Sequence, residues 1–249
     1  MLKRSLLVLA VALVVLVAGI AIEVVLAVRR DYLPTEPALD VRGEFGDPED
    51  PELRFAVLGD STSVGVGVDS HEYAYPYLLA ERLAEGGRYV VLETFGVSGA
   101  RAAGMRAEQL PLAQDFRPDL VFIGIGANDV THLTPLDDVE RDVGVVIDGL
   151  LELGATVVVA GAPDMRADAW FEPLRSIAGW RGRRVAAAVE AAAAERDVPA
   201  VPLAKETGPF FEAEPDLAYS SDLFHPGRGG YAKWAEVIYP YLEKALGSR

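Results

Sequence analysis

Ser61 stands in the stretch LRFAVLGDSTSVGVG (residues 53–67), where the uncharged run from Phe55 to Leu58 breaks into Gly59-Asp60-Ser61 and then into small residues and glycines. An uncharged run of this length is the pattern of a central parallel strand covered on both faces, and the glycine after it lets the chain turn sharply. A serine just past the carboxyl end of such a strand sits where open α/β sheets bind ligands. The backbone amides around it can then face an oxyanion. The chemistry on offer is nucleophilic acyl transfer. Gly-Asp-Ser is also three common turn residues, so the reading requires a base and a carboxylate to orient it.

The search for the base is short, because the chain has three histidines, His71, His132 and His225. His225 has the best context, in Ser220-Ser221-Asp222-Leu223-Phe224-His225-Pro226, where one turn brings the Asp222 carboxylate to the imidazole. The competing reading of Asp222-x-x-His225 is a cap on the helix that follows. His71, after Asp69-Ser70, and His132, just beyond Asn128-Asp129, are within reach of the mouth of a site. Both read more simply as solvated loop histidines. Gly59, Gly65 and Gly67 lack the spacing of a dinucleotide fingerprint, and no Gly-Lys-Ser/Thr follows them, which argues against a phosphate loop. There is no cysteine, so disulfides, thiolate catalysis and cysteine-ligated metals are excluded.

These residues need a scaffold, and the hydrophobic pattern predicts one. Strands are expected over residues 89–95, 119–125, 155–161 and 198–203, in addition to the strand before Ser61. Helices are expected over 73–85, 101–110, 134–153 with Thr134 as N-cap, 169–196, and 229–246 with Pro240 kinking or dividing the last. Strands alternating with helices imply a parallel sheet covered on both faces. The 249 residues, about half of them hydrophobic, suffice for one sizeable α/β domain over residues 52–249.

Residues 6–28 are apolar or small apart from Glu23 and are flanked by Lys3 and Arg4 on one side and Arg29 and Arg30 on the other. The run is long enough to span a bilayer and longer than a usual signal-peptide core. It is expected to be a retained anchor over residues 1–30, with Glu23 snorkelling near its carboxyl end and the catalytic domain outside the cytoplasm. The competing reading is a signal peptide cleaved near Gly19-Ile20-Ala21, which would leave a secreted enzyme. Residues 31–51, with Pro34, Pro37, Pro48, Pro51 and many acids, read as a linker. The first 30 residues carry a net charge of +3 and the remainder −18, which argues against nucleic acid as a partner.

Four blocks stand in order along the chain: Gly59-Asp60-Ser61, Gly96-x-x-Gly99, Gly126-x-Asn128-Asp129 and Asp222-x-x-His225. Together they resemble the SGNH (GDSL) hydrolase family over nearly all of residues 53–246. The resemblance implies a three-layer α/β/α, flavodoxin-like fold with a five-stranded parallel sheet, here preceded by one transmembrane helix. It implies Ser61 as nucleophile, His225 as base and Asp222 as the orienting acid. The oxyanion donors would be the backbone amides of Ser61 and Gly99 and the side-chain amide of Asn128, with Asp60 and Asp129 forming turns. Thr94 departs from the asparagine frequent in the second block. The expected function is a membrane-anchored serine esterase that needs no metal or organic cofactor and acts on a small-molecule, lipid or glycan acyl ester. A second reading is a carbohydrate O-deacetylase or O-acyltransferase acting on a cell-envelope glycan or lipid. A third, an idle envelope-binding protein of the same fold, predicts decay of a motif letter, and no letter of the four blocks is missing.

Overall fold

The computed structural model describes residues 2–35 and 38–247; Pro37 of the stretch read as a linker lies outside them. At its centre is β2 (Glu52–Gly59), whose Phe55, Ala56, Val57 and Leu58 are completely buried. Successive side chains of a strand point to opposite faces. Ala56 and Leu58 accordingly enter one hydrophobic core while Phe55 and Val57 enter the other. Completely burying a side chain of this size stabilises the fold by about 1.5–3 kcal/mol.

Four further strands run parallel to β2: β3 (Tyr89–Thr94), β4 (Leu120–Gly124), β5 (Thr156–Ala160) and β6 (Ala200–Val201). With β1 (Gly43–Phe45), which pairs antiparallel with β3, the order across the sheet is β1-β3-β2-β4-β5-β6. The five parallel strands are those expected. The sixth, at the edge, is a correction to the five-stranded sheet and comes from the stretch read as a linker. Three residues are too few for alternation to register in the sequence. Val41, just before β1, is buried, and Thr94 Oγ1 donates to its carbonyl at 2.8 Å, so the departure from asparagine at Thr94 closes this edge.

One face of the sheet is covered by α2 (Tyr75–Glu85), α8 (Leu203–Ala213) and α10 (Arg228–Leu246), which supply Tyr75, Leu79, Phe211, Tyr231, Trp234 and Ile238 to the core. Helix α10 runs unbroken through Pro240, which does not divide it. The other face is covered by α6 (Leu136–Leu151), α7 (Leu174–Ala194) and α4 (Leu110–Phe116), with Val143, Ile147, Val185 and Val189 packed inward. Helix α4 continues a single turn, α3 (Ala102–Gly104), through a π-helical turn at Met105–Gln109. Two further short helices complete the set, α5 (Ala127–Thr131) and α9 (Pro215–Ala218). Thr134 does not cap α6, which begins after Pro135. Helix α7 starts later than the periodicity predicts, because residues 163–173 form a loop.

At the amino end, α1 (Leu2–Arg29) is a 28-residue helix, about 42 Å long at 1.5 Å per residue. It is long and apolar enough to cross a membrane. Leu6, Leu9, Leu13 and Val17 are each more than half exposed. The exposure drops at Gly19, Ile20, Glu23, Ala27 and Arg30, a helical stripe on which the last turns rest against the domain.

Candidate active site

The chain passes from β2 to β3 on one side and then to β4 on the other, so the strand order reverses between β2 and β4 and leaves a crevice at their carboxyl ends. Each block of the sequence pattern falls at this edge. Ser61 follows β2, Gly96 and Gly99 follow β3, and Asn128 lies in α5 just past β4.

Ser61 Oγ lies 3.1 Å from His225 Nε2, and His225 Nδ1 donates to Asp222 Oδ2 at 2.7 Å. All three residues are buried, with Ser61 9 % exposed. Burial alone would raise the Asp222 carboxyl. The ring and backbone N–H groups of His225 and the backbone N–H of Phe224 outweigh it and hold the group well below the usual carboxylate range. An ionised Asp222 fixes the imidazole proton on Nδ1, which leaves Nε2 free to accept from Ser61.

Asp222 does not cap a helix, since α10 begins beyond it at Arg228 with Gly227 as its N-cap. Its Oδ1 instead accepts from Ser220 Oγ at 2.8 Å and from the N–H groups of Phe224 and His225 at 2.9 Å each. These bonds shape the loop in which Leu223 adopts a φ of 58°. A branched apolar residue in the left-handed region persists only where its surroundings over-determine it, and such positions cluster at functional sites.

The loop that carries His225 meets the loop that carries Ser61 at Gly67. A Cβ there would fall 2.1 Å from the Pro226 carbonyl oxygen, and its φ of 112° is one that side chains resist, so only glycine lets the two loops close. The turn that carries Ser61 is itself held from within. Asp60 Oδ1 accepts from Thr62 N–H at 3.0 Å and Thr62 Oγ1 at 2.8 Å, the turn-forming bonds expected of it, and burial pushes its carboxyl up. Ser63 is completely buried, and its Oγ donates to the Asp60 carbonyl at 2.6 Å.

Asn128 Nδ2 donates to the Ala100 carbonyl at 3.1 Å, tying the turn after β4 to the turn that holds Gly99. Gly99 has a φ of 80°. Asp129 Oδ2 accepts from the Ala102 N–H at 3.1 Å and so anchors the start of α3. A cavity of about 50 Å³ opens beside Ser61, lined by Ser61, Thr62, Asn128, Met165, Phe224 and His225 among others. Gly99 is not among its lining residues. The other two histidines stand apart: His71 is exposed against the Tyr77 ring, and His132 is exposed with Nδ1 donating to the Asn128 carbonyl at 2.8 Å. Among the described residues, no three carboxylate or imidazole side chains gather to hold a metal ion.

A profile of the GDSL-like lipase/acylhydrolase family matches residues 57–233. The chain belongs to this family. A GDSL-like esterase of Mycobacterium tuberculosis is 34% identical over 198 residues, spanning 78% of this chain and 63% of that protein. An arylesterase of Vibrio mimicus is 32% identical over 106 residues, 43% of this chain and 52% of that one. The aligned region thus spans less than two thirds of either curated relative. Among solved structures, TesA superposes with a TM-score of 0.62 at 24% identity, covering 78% of this chain and 99% of that one. A Clostridium thermocellum family 3 carbohydrate esterase does so with a TM-score of 0.62 at 19% identity, covering 79% and 98%. At these identities the two structures establish the SGNH-hydrolase fold.

Two features of this GDSL-family site have no counterpart in the sequence reading. Gln109, almost completely buried in the π-helical turn, donates from Nε2 to the Gly59 carbonyl at 2.8 Å and accepts the Gly59 N–H at 2.9 Å. It clamps the peptide just ahead of Asp60-Ser61. The second is the segment after α1. Leu33 N–H donates to Asp222 Oδ2 at 3.3 Å, and the Tyr32 ring packs edge-on against Phe224. A backbone donor leaves no trace in residue type. The glutamine had one faint signal, a polar residue inside an otherwise apolar helical stripe.

Proposed function

We propose that this chain is a serine esterase held at a membrane by α1, with Ser61 as nucleophile, His225 as general base and Asp222 as the acid that orients it. The observation that carries the reading is the hydrogen-bonded line from Ser61 Oγ through the imidazole to Asp222 at the edge of a cavity. Ser61 Oγ attacks the ester carbonyl carbon as its proton passes to His225 Nε2. The tetrahedral oxyanion is met by the backbone N–H groups of Ser61 and Gly99 and by Asn128, whose amide has a second hydrogen beyond the one given to Ala100. His225 then returns the proton to the leaving alcohol. Water, deprotonated by the same nitrogen, attacks the acyl-enzyme and releases the acid with Ser61 restored.

A serine esterase is favoured over a glycan O-deacetylase or O-acyltransferase, because the relatives above 30% identity are named as a GDSL-like esterase and an arylesterase. Asn128→Ala tests the oxyanion assignment. It is expected to leave the protein folded and to lower turnover of p-nitrophenyl acetate by roughly 10²–10³-fold. An unchanged rate would remove Asn128 from the site.

Retention of α1 is supported by contacts that a discarded leader would not need. Glu23 Oε2 accepts the Leu174 N–H at the start of α7 at 3.0 Å, and the Arg30 guanidinium donates to the Ala169 carbonyl at 3.0 Å. The unshielded apolar surface from Leu6 to Val17 has a bilayer as its natural cover. The full chain is expected to stay with membranes through a carbonate wash, with its domain accessible from outside the cytoplasm. A soluble form beginning near Ile22 would overturn the anchor and leave the esterase reading standing.

A further inference from the structure

The carboxyl end of α1 and the start of α7 enclose a groove of about 440 Å³, within the ~300–1,000 Å³ range of ligand sites. Val24 and Val28 form its wall on the α1 side, and Leu133, Leu174 and Ile177 form the wall on the domain side. Its inner end is Asn128 and Phe224, both of which also line the cavity beside Ser61. The groove therefore borders, through Asn128 and Phe224, the cavity beside Ser61 and lies between that cavity and the anchor helix.

We infer that this groove takes the acyl chain of a membrane lipid ester, which enters sideways from the bilayer along α1. The inference rests on the serine-esterase and anchor readings and adds to them a substrate class and a route. Its first support is depth. A hydrocarbon core needs about 20 helical residues, so a span beginning at Leu6 ends close to Val25. Val24 and Val28 then lie within about 5 Å of that level at 1.5 Å per residue, so the mouth of the groove opens at the membrane surface. The second support is exposed apolar surface on the elements that border the groove. Leu133, which lines it, is 74% exposed, and Phe171 and Trp180, beside and within the amino-terminal half of α7, are 69% and 51% exposed. Large apolar and aromatic side chains suit the lipid headgroup region.

The third support is rigidity. Glu23 accepts from Leu174 N–H, and Trp170 Nε1 donates to Tyr32 Oη at 3.0 Å, so the two walls are bonded to each other. Chemistry decides which part of the ester lies there. His225, which must protonate the leaving alcohol, lines the small cavity and not the groove. The groove therefore falls to the acyl side, next to the Asn128 amide that receives the carbonyl oxygen.

The test uses the full chain reconstituted in phosphatidylcholine vesicles, with p-nitrophenyl palmitate in the bilayer and p-nitrophenyl acetate in water as the two substrates. Leu133→Asp with Ile177→Asp places charge at two exposed positions on the domain wall of the groove, away from the reacting groups. The palmitate rate is expected to fall roughly tenfold or more, since each methylene denied apolar contact is worth a factor of about four. The acetate rate is expected to hold, and Ile177→Leu should behave as the parent. Val28→Asp, on the opposite and exposed wall, is expected to give the same split and serves if the double variant does not accumulate. Parallel loss on both substrates, or an undiminished palmitate rate, would overturn the groove. Acetate hydrolysis that survives Ser61→Ala would instead overturn the esterase reading beneath it.

Discussion

Ser61→Ala is expected to lower ester hydrolysis by about 10⁴-fold or more without unfolding the protein, the loss that follows when a serine nucleophile is removed from a unit of this kind. The expectation rests on the 3.1 Å approach of Ser61 Oγ to His225 Nε2. The two adjacent hydroxyls are otherwise engaged: Thr62 Oγ1 donates to Asp60 Oδ1 at 2.8 Å. Ser63 Oγ is turned inward onto the Asp60 carbonyl and is completely buried, and a Cβ at Gly96 would lie only 1.8 Å from it. Turnover of p-nitrophenyl acetate by the purified variant, with its melting temperature as control, checks the point. Turnover close to that of the parent chain would remove Ser61 from the mechanism.

Asp222→Asn is expected to cost roughly 10⁴-fold in turnover with the loop largely intact. The asparagine oxygen can still accept from the N–H groups of Phe224 and His225, which now bond to Asp222 Oδ1. Its NH₂ then faces His225 Nδ1, where the carboxylate accepts a proton at 2.7 Å. The imidazole is driven to carry its proton on Nε2 and can no longer accept from Ser61. The Leu33 N–H meets a donor as well.

The same substitution changes how folding responds to acid. The Asp222 carboxyl is held well below its ordinary value in the folded protein. It therefore contributes stability above the unfolded value of about 4, and this is lost as pH falls through the folded value. Asp222→Asn should flatten acid unfolding in that range. Measuring kcat and the acid unfolding midpoint on one preparation separates the two effects, and a kcat close to the parent value would exclude Asp222 as the orienting group.

The central sheet and the hydrogen-bonded line of Ser61, His225 and Asp222 could be read from the chain because both write themselves in residue types. The run from Phe55 to Leu58 is uncharged because it is covered on both faces, and Asp222-x-x-His225 is a spacing that a single loop must bring together. What escaped the sequence is carried by backbone and by tertiary context. Strand β1 is three residues long and gains its place from pairing with β3 and from Thr94 reaching the Val41 carbonyl. Thr134 is a good N-cap by type, yet α6 starts after Pro135 without any side-chain cap. Glu23 read as a charge snorkelling from a span. Its partner, the Leu174 N–H, lies 151 positions away in the sequence, beyond any local pattern. Leu223 carries no sign of its left-handed backbone, which the Asp222 side chain imposes.

The central claim is that Ser61 is the atom that becomes acylated, and covalent mapping tests it most directly. The full chain in detergent is treated with a fluorophosphonate, digested, and the adduct located by tandem mass spectrometry. The account predicts one phosphonate on Ser61, absent from Ser61→Ala and strongly diminished in His225→Ala. An adduct on Ser63, or labelling that persists in Ser61→Ala, would contradict it.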